Sequence, residues 1–118
     1  MVEPTGLPAA CDTVMERIKL PMACGCGPEG QAKVNALIAT ATEALNASGD
    51  WLTVDVADVD LLMTAVCSDG WGVTIYGDQW FGMSARSHDD KVVIAVESDT
   101  IIAGLAAIYL HLSARHAS

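Results

Sequence analysis

Cys24 and Cys26 carry the strongest chemical signal in the chain. They lie in Met22-Ala23-Cys24-Gly25-Cys26-Gly27-Pro28-Glu29, one residue apart and directly before a helix-periodic segment. A thiol at a helix start meets the positive end of the helix dipole and unpaired backbone N–H groups, and both favour the thiolate. Two such thiolates can hold a soft metal, copper(I) or zinc, or serve as a redox pair. Cys11 and Cys67 could complete four thiolates around zinc, but structural zinc sites pair cysteines two to four residues apart, and no second close pair exists. Both lie on apolar patterns, where a cysteine acts as a small core residue. The bland expectation for all four is reduced, unreactive thiols.

Three further groupings contain chemically competent residues. Gly25, Gly27 and Gly30 spell G-x-G-x-x-G before a helix, the fingerprint that brings a pyrophosphate to a helix N-terminus. No clean strand precedes it and no β-α-β pattern follows, so a small anion or a plain helix start fits better than a dinucleotide. Asp50, Asp55, Asp58 and Asp60 could supply oxygen ligands to Ca²⁺ or Mg²⁺, though without the glycine of a calcium loop; turn and cap roles explain each one separately. His88, in Ser87-His88-Asp89-Asp90, is the one histidine with both a hydroxyl and carboxylates beside it. Loop neighbours seldom form an assembled triad, and neither G-x-S-x-G nor H-E-x-x-H occurs. No catalytic residue and no cofactor is therefore assigned.

The elements that must position these residues follow from periodicity. Cys11, Val14, Met15 and Ile18 share one helical face, which predicts a first helix over Pro8 to Lys19, ended by Pro21. Val34, Leu37, Ile38, Ala41 and Leu45 predict a second helix from Pro28 to Ser48, with Gly49 as its left-handed terminator. From Trp51 the period becomes two. Trp51 to Val56, Leu61 to Ser68, Trp71 to Tyr76, Gln79 to Ala85 and Lys91 to Glu97 read as strands, with Asp69-Gly70 and Gly77-Asp78 as two-residue hairpin turns. Asp58 to Val66 also fits a helix, with Asp58 as cap and Val59, Leu62, Met63 and Val66 on one face. The strand reading is preferred because Trp71 to Tyr76 needs a hairpin partner. A last helix runs from Asp99 to His116, capped by Ser98. The expected architecture is a single α+β domain over residues 1–118. It has an antiparallel β-meander of four to five strands (about 51–97), two N-terminal helices and one long C-terminal helix.

Composition bounds the function. The 118 residues are 52% hydrophobic, which excludes intrinsic disorder, and the longest apolar stretch, Ile101 to Leu112, is too short for a membrane span. The N-terminus lacks the basic-then-apolar order of a signal peptide, so a cytoplasmic location is expected. Net charge is −9, and Val34 to Ala85 contains no Lys or Arg but carries Glu43, Asp50, Asp55, Asp58, Asp60, Asp69 and Asp78. Such a field opposes direct nucleic-acid binding and favours a basic partner. The assumed hairpin register places Tyr76 and Phe81 on the face opposite the core, with Trp80, Asp69 and Asp78 around them, as a protein interface. In the last helix Ile101, Leu105, Ile108 and Leu112 form a stripe on a helix apolar nearly all round, which suggests a homo-oligomer seam. The leading expectation is a small acidic non-enzymatic module acting by protein contact, with an inhibitor that presents carboxylates to a basic nucleic-acid-binding surface as its specific form. The alternatives are a thiol or metal protein using Cys24 and Cys26, and a small enzyme or ligand-binding protein with a pocket between sheet and helices.

Overall fold

The computed structural model describes residues 16–49 and 53–117. Their elements run β1 (Glu16–Lys19), α1 (Gly27–Ser48), α2 (Val59–Ser68), β2 (Gly72–Tyr76), β3 (Phe81–Arg86), β4 (Val92–Ser98) and α3 (Ile101–Ala117). The strands form one sheet in the order β1-β4-β3-β2. β2, β3 and β4 are consecutive antiparallel neighbours, while β1 pairs in parallel with β4, Ile18 opposite Ile94. The α+β content is as the sequence implies, but the sheet is mixed and not a purely antiparallel meander.

α1 begins with Pro28 in its first turn, where a missing N–H costs nothing, and Glu29 complements the dipole. It ends at Gly49, whose φ of 75° is left-handed. Val34, Ala41 and Leu45 are buried, and Leu37 and Ile38 pack beside them. In the following segment Asn46 grips the Val54 backbone, its Nδ2 donating to Val54 O at 3.0 Å and its Oδ1 accepting from Val54 N at 2.9 Å. The Thr42 hydroxyl accepts from Ala57 N at 2.9 Å. The described part of the expected Trp51–Val56 strand is therefore irregular chain, bending at Asp55 and Val56 and bonded to side chains of α1, with no sheet partner.

Leu61 to Ser68 is the helix α2 and not a strand. The Asp58 carboxylate accepts from Leu61 N at 2.8 Å, and Leu62, Ala65 and Val66 face inward. β2 obtains its partner from β3, so it needs none before it, and Asp69-Gly70 is a helix-to-strand turn with Gly70 N donating to Cys67 O at 3.0 Å. The second turn also differs. Gly77 to Trp80 form a four-residue loop, and Tyr76 pairs with Gly82. The expected register set Thr74 against Phe81. A shift of this kind moves side chains to the other face.

Residues 16–19, expected as the end of the first helix, are β1. The rest of that helix falls outside the described residues. In β1 only Ile18 points into the core, so no sheet alternation is visible in its four residues.

α2 and α3 pack on one face of the sheet, and α1 packs against α3. Met83, Ala85, Ile94 and Val96 meet Leu62, Val66, Leu105 and Ile108 there. A Cβ on Gly104 would overlap Met83, so this glycine lets α3 cross the sheet closely. Thr100 caps α3, its Oγ1 accepting from Ala103 N at 3.3 Å. Ser98, expected as the cap, is buried and donates to Thr100 O at 2.6 Å. The opposite sheet face carries Arg17, Lys19, Ser84, Arg86, Thr74 and Tyr76 by strand alternation. No described helix is long and apolar enough to cross a membrane.

Candidate functional site: a cysteine pair beside Asp99

The sheet carries Cys24 and Cys26 to its upper end. After β1 the chain follows β4 further, with Ala23 N donating to Glu97 O at 2.9 Å and Asp99 N donating to Ala23 O at 3.3 Å. Cys24 then turns away into α1, with Cys26 as its extended N-cap residue, while Asp99 stands just before α3. Two helix N-termini thus converge on one short segment.

Cys24 and Cys26 are joined as a disulfide, their Cα atoms 5.5 Å apart. The Asp99 carboxylate lies next to both sulfurs, the three ligating atoms all within 4.8 Å of one another. Gly25 N donates to Asp99 Oδ2 at 2.9 Å. The other oxygen, Oδ1, is sealed from solvent and has no hydrogen-bond partner among the described residues. Cys26 is exposed and Cys24 is half-buried.

Gly30 holds the turn close to the helix. A Cβ there would lie 2.6 Å from the Cys24 carbonyl oxygen and 3.1 Å from the Gly25 carbonyl carbon, so only glycine lets α1 lie against the Cys24-Gly25 backbone. The G-x-G-x-x-G pattern here shapes a cysteine turn. Beside Cys24 opens an apolar groove of about 300 Å³ lined by Pro21, Met22, Lys33, Val34 and Leu37, with Met22 60% exposed at its rim.

No protein family, curated protein or solved structure matches this chain. Its chemistry is therefore read from its own residues.

The other sequence candidates stand apart from this site. Cys67 is a free, exposed cysteine on α2, while Cys11 lies outside the described residues. Asp58 is the α2 cap, and Asp55, Asp58 and Asp60 belong to no metal-ligating cluster among the described residues. Near His88, the Ser87 hydroxyl donates to Asp89 at 2.8 Å and accepts from Lys91 N at 3.1 Å and Val92 N at 3.0 Å. That network braces the β3–β4 turn and leaves Ser87 without a histidine base. It also holds the exposed Asp89 carboxyl below the usual carboxylate range, first through the Ser87 hydroxyl and then through the Lys91 N–H.

Tyr76 is 65% and Trp80 39% exposed, and Asp69 and Asp78 are exposed with them. Phe81, however, is half-buried and packs against the core, on the opposite sheet face from Tyr76. The five interface candidates do not share one face. Leu105, Ile108 and Leu112 are buried within the chain, and Ile101 is half-buried beside them. α2, being a helix, covers the stripe that a sheet alone would have left open.

Asp99 was missed as a site residue in the sequence. It is 75 positions after Cys24, and the two meet because the chain from β1 to Gly25 runs parallel beside β4 and its extension.

Proposed function

We propose that this protein works as a thiol–disulfide exchange centre built on Cys24 and Cys26. The observation that carries the reading is the cysteine pair at the α1 N-terminus with the Asp99 carboxylate beside both sulfurs. The cross-link is a poor staple. Closing a three-residue loop removes only about 1.6 kcal/mol of unfolded-chain entropy on the chain-entropy relation, roughly half the value for 15 residues. A disulfide that does so little for folding is better explained by reversible chemistry.

The greater exposure of Cys26 supports a division of roles. In the reduced protein the Cys26 thiolate, favoured at the helix start, attacks a partner disulfide and forms a mixed disulfide, releasing one partner thiolate that takes up a proton. Cys24 then gives its proton to the Asp99 carboxylate and attacks Cys26 Sγ. The Cys24–Cys26 bond forms and the second partner thiol leaves with that proton. Two electrons pass from the protein dithiol to the partner disulfide. The groove beside Cys24 would seat apolar residues flanking the partner's cysteine.

The test is a redox titration against a dithiol buffer, read by counting alkylated cysteines. The expected result is a reversible two-electron couple that is lost in Cys26→Ser, with Cys24→Ser trapping a mixed disulfide through Cys26. A pair that resists reduction by excess dithiol, or that does not re-form, overturns the reading.

Protein contact remains a second reading, favoured by the exposed Tyr76 and Trp80. Because Tyr76 shares its sheet face with Arg17, Lys19 and Arg86, this contact would not be made by carboxylates alone. Its test is capture of a partner by the wild type and by the Tyr76→Ala/Trp80→Ala variant. Equal capture by both would refute it.

A further inference from the structure

We infer that the reduced protein binds one zinc ion through Cys24 Sγ, Cys26 Sγ and the Asp99 carboxylate, and that forming the disulfide expels it. The inference rests on the same cysteine pair as the exchange reading but assigns it a second, separable property.

Three observations converge. First, the two sulfurs and an Asp99 oxygen all lie within 4.8 Å of one another. Zinc bonds of about 2.3 Å to sulfur and 2.0–2.2 Å to oxygen place tetrahedral ligands roughly 3.5–3.8 Å apart. With Cα atoms 5.5 Å apart, side-chain rotation can open the sulfurs from bonding contact to that spacing once the bond is reduced. Second, Asp99 has an oxygen to spare. Oδ2 is fixed by the Gly25 N–H, while Oδ1 is enclosed and has no hydrogen-bond partner among the described residues. An enclosed acceptor without a donor is costly, and a cation would satisfy it. Third, the charges suit a divalent ion. Two thiolates and a carboxylate carry three negative charges, which repel one another when unliganded. Zinc leaves one, at a point where the N-termini of α1 and α3 supply positive dipole ends. Cys26 is exposed, so the fourth coordination position opens to solvent. Three protein ligands and one open position is the arrangement of a reactive rather than a closed structural zinc site.

The chemistry balances. The disulfide takes two electrons and two protons from a thiol reductant to give the dithiol. Zinc then replaces the two thiol protons, which are released to solvent. Zinc and oxidation thus compete for the same sulfurs. At a free zinc concentration one hundred times its Kd, the equilibrium shifts about a hundredfold toward the dithiol, or about 59 mV for a two-electron couple.

The experiment uses the full chain, reduced and oxidised in parallel. Zinc binding is read by competition with a chromophoric chelator and by native mass spectrometry, and cobalt(II) is substituted to look for thiolate-to-cobalt absorption. The expected results are one metal per reduced chain and none per oxidised chain. Asp99→Asn should weaken binding at least tenfold and Cys26→Ser should abolish it. A reduced chain that does not compete for zinc overturns the inference, as does equal binding by the oxidised chain or wild-type affinity in a folded Asp99→Asn. The reduced–oxidised comparison needs no substitution, so a variant that fails to fold leaves the test intact. The two readings can fail separately. A chain that cycles its disulfide but ignores zinc loses only this site, and one that binds zinc but never re-forms the disulfide loses only the exchange activity.

Discussion

Replacing Gly30 with alanine tests whether α1 sets the cysteine turn. In an open helix position this change should stabilise, because alanine exceeds glycine in helix propensity by about 1 kcal/mol. Here the new Cβ would stand 2.6 Å from the Cys24 carbonyl oxygen and 3.1 Å from Gly25 C. Those are backbone atoms, which cannot swing away as a side chain can. Relief needs a shift of roughly 0.6–0.8 Å of either the helix start or the turn, and overpacking of this kind costs about 1–3 kcal/mol. The net expectation is a loss of up to about 2 kcal/mol, opposite in sign to the propensity term. The turn that moves carries both sulfurs, so the rate of thiol modification in the reduced protein should change as well. Gly49→Ala is the matched control. It strains a left-handed C-cap at φ 75° by about 1–2 kcal/mol but should leave thiol reactivity unchanged. Urea unfolding of the reduced proteins gives the first quantity and a chromogenic disulfide reagent the second. A Gly30→Ala protein that is more stable than wild type, with unaltered thiol kinetics, would refute the close packing of α1 on the turn.

Other outcomes are expected elsewhere in the fold. Thr42→Val keeps the shape of a buried side chain but strips the acceptor from Ala57 N–H, so it should cost about 1–3 kcal/mol by denaturant unfolding; a neutral result would mean the 53–57 segment is not held through that bond. Leu105→Ala removes a fully buried side chain between α3 and the sheet and should cost about 2–5 kcal/mol. A loss well below that would place Leu105 at the surface, where a seam residue would be. Asp89 has a folded value below its ordinary 3.8, so its contribution to the β3–β4 turn is present above that pH and is lost as pH falls through the lower folded value. The Lys91 amide resonance should therefore titrate below pH 3.8 in the wild type and stay flat in Asp89→Asn, and a midpoint at or above 3.8 would contradict the Ser87 hydrogen bond.

What the sequence disclosed depended on how local each signal was. α1 was readable nearly to the residue because Pro28, the Val34–Leu45 stripe and Gly49 all lie within the element itself. β2, β3 and β4 were recognisable as strands for the same reason. α2 was misread because its apolar residues fit both periods, and the deciding feature was tertiary: β2 already had β3 as its partner. Thr53 to Val56 alternates in sequence only: the Asn46 amide takes both backbone hydrogen bonds of Val54, the chain bends after it, and Val56 stays exposed. β1 gave no pattern, since a short edge strand with only Ile18 inward looks like the end of a helix. The cysteine pair was evident from spacing and position. Asp99 was not, because its value comes from a pairing across the whole chain, and before the fold is known an aspartate ahead of a helix looks like any cap.

That long-range pairing also leads to an expected order of assembly. β2, β3 and β4 are joined by short loops and can zip together early, and α3 follows directly. β1 must return to β4 across more than seventy residues, so its docking carries the largest loop-closure cost in the sheet. The Gly25–Asp99 hydrogen bond spans 74 positions and can form only at that stage. During synthesis Cys24 and Cys26 emerge well before Asp99 exists, and for that interval they are ordinary thiols. The proposed centre would thus be a product of completed folding, and a chain stalled before β1 docks would carry its cysteines without Asp99 beside them.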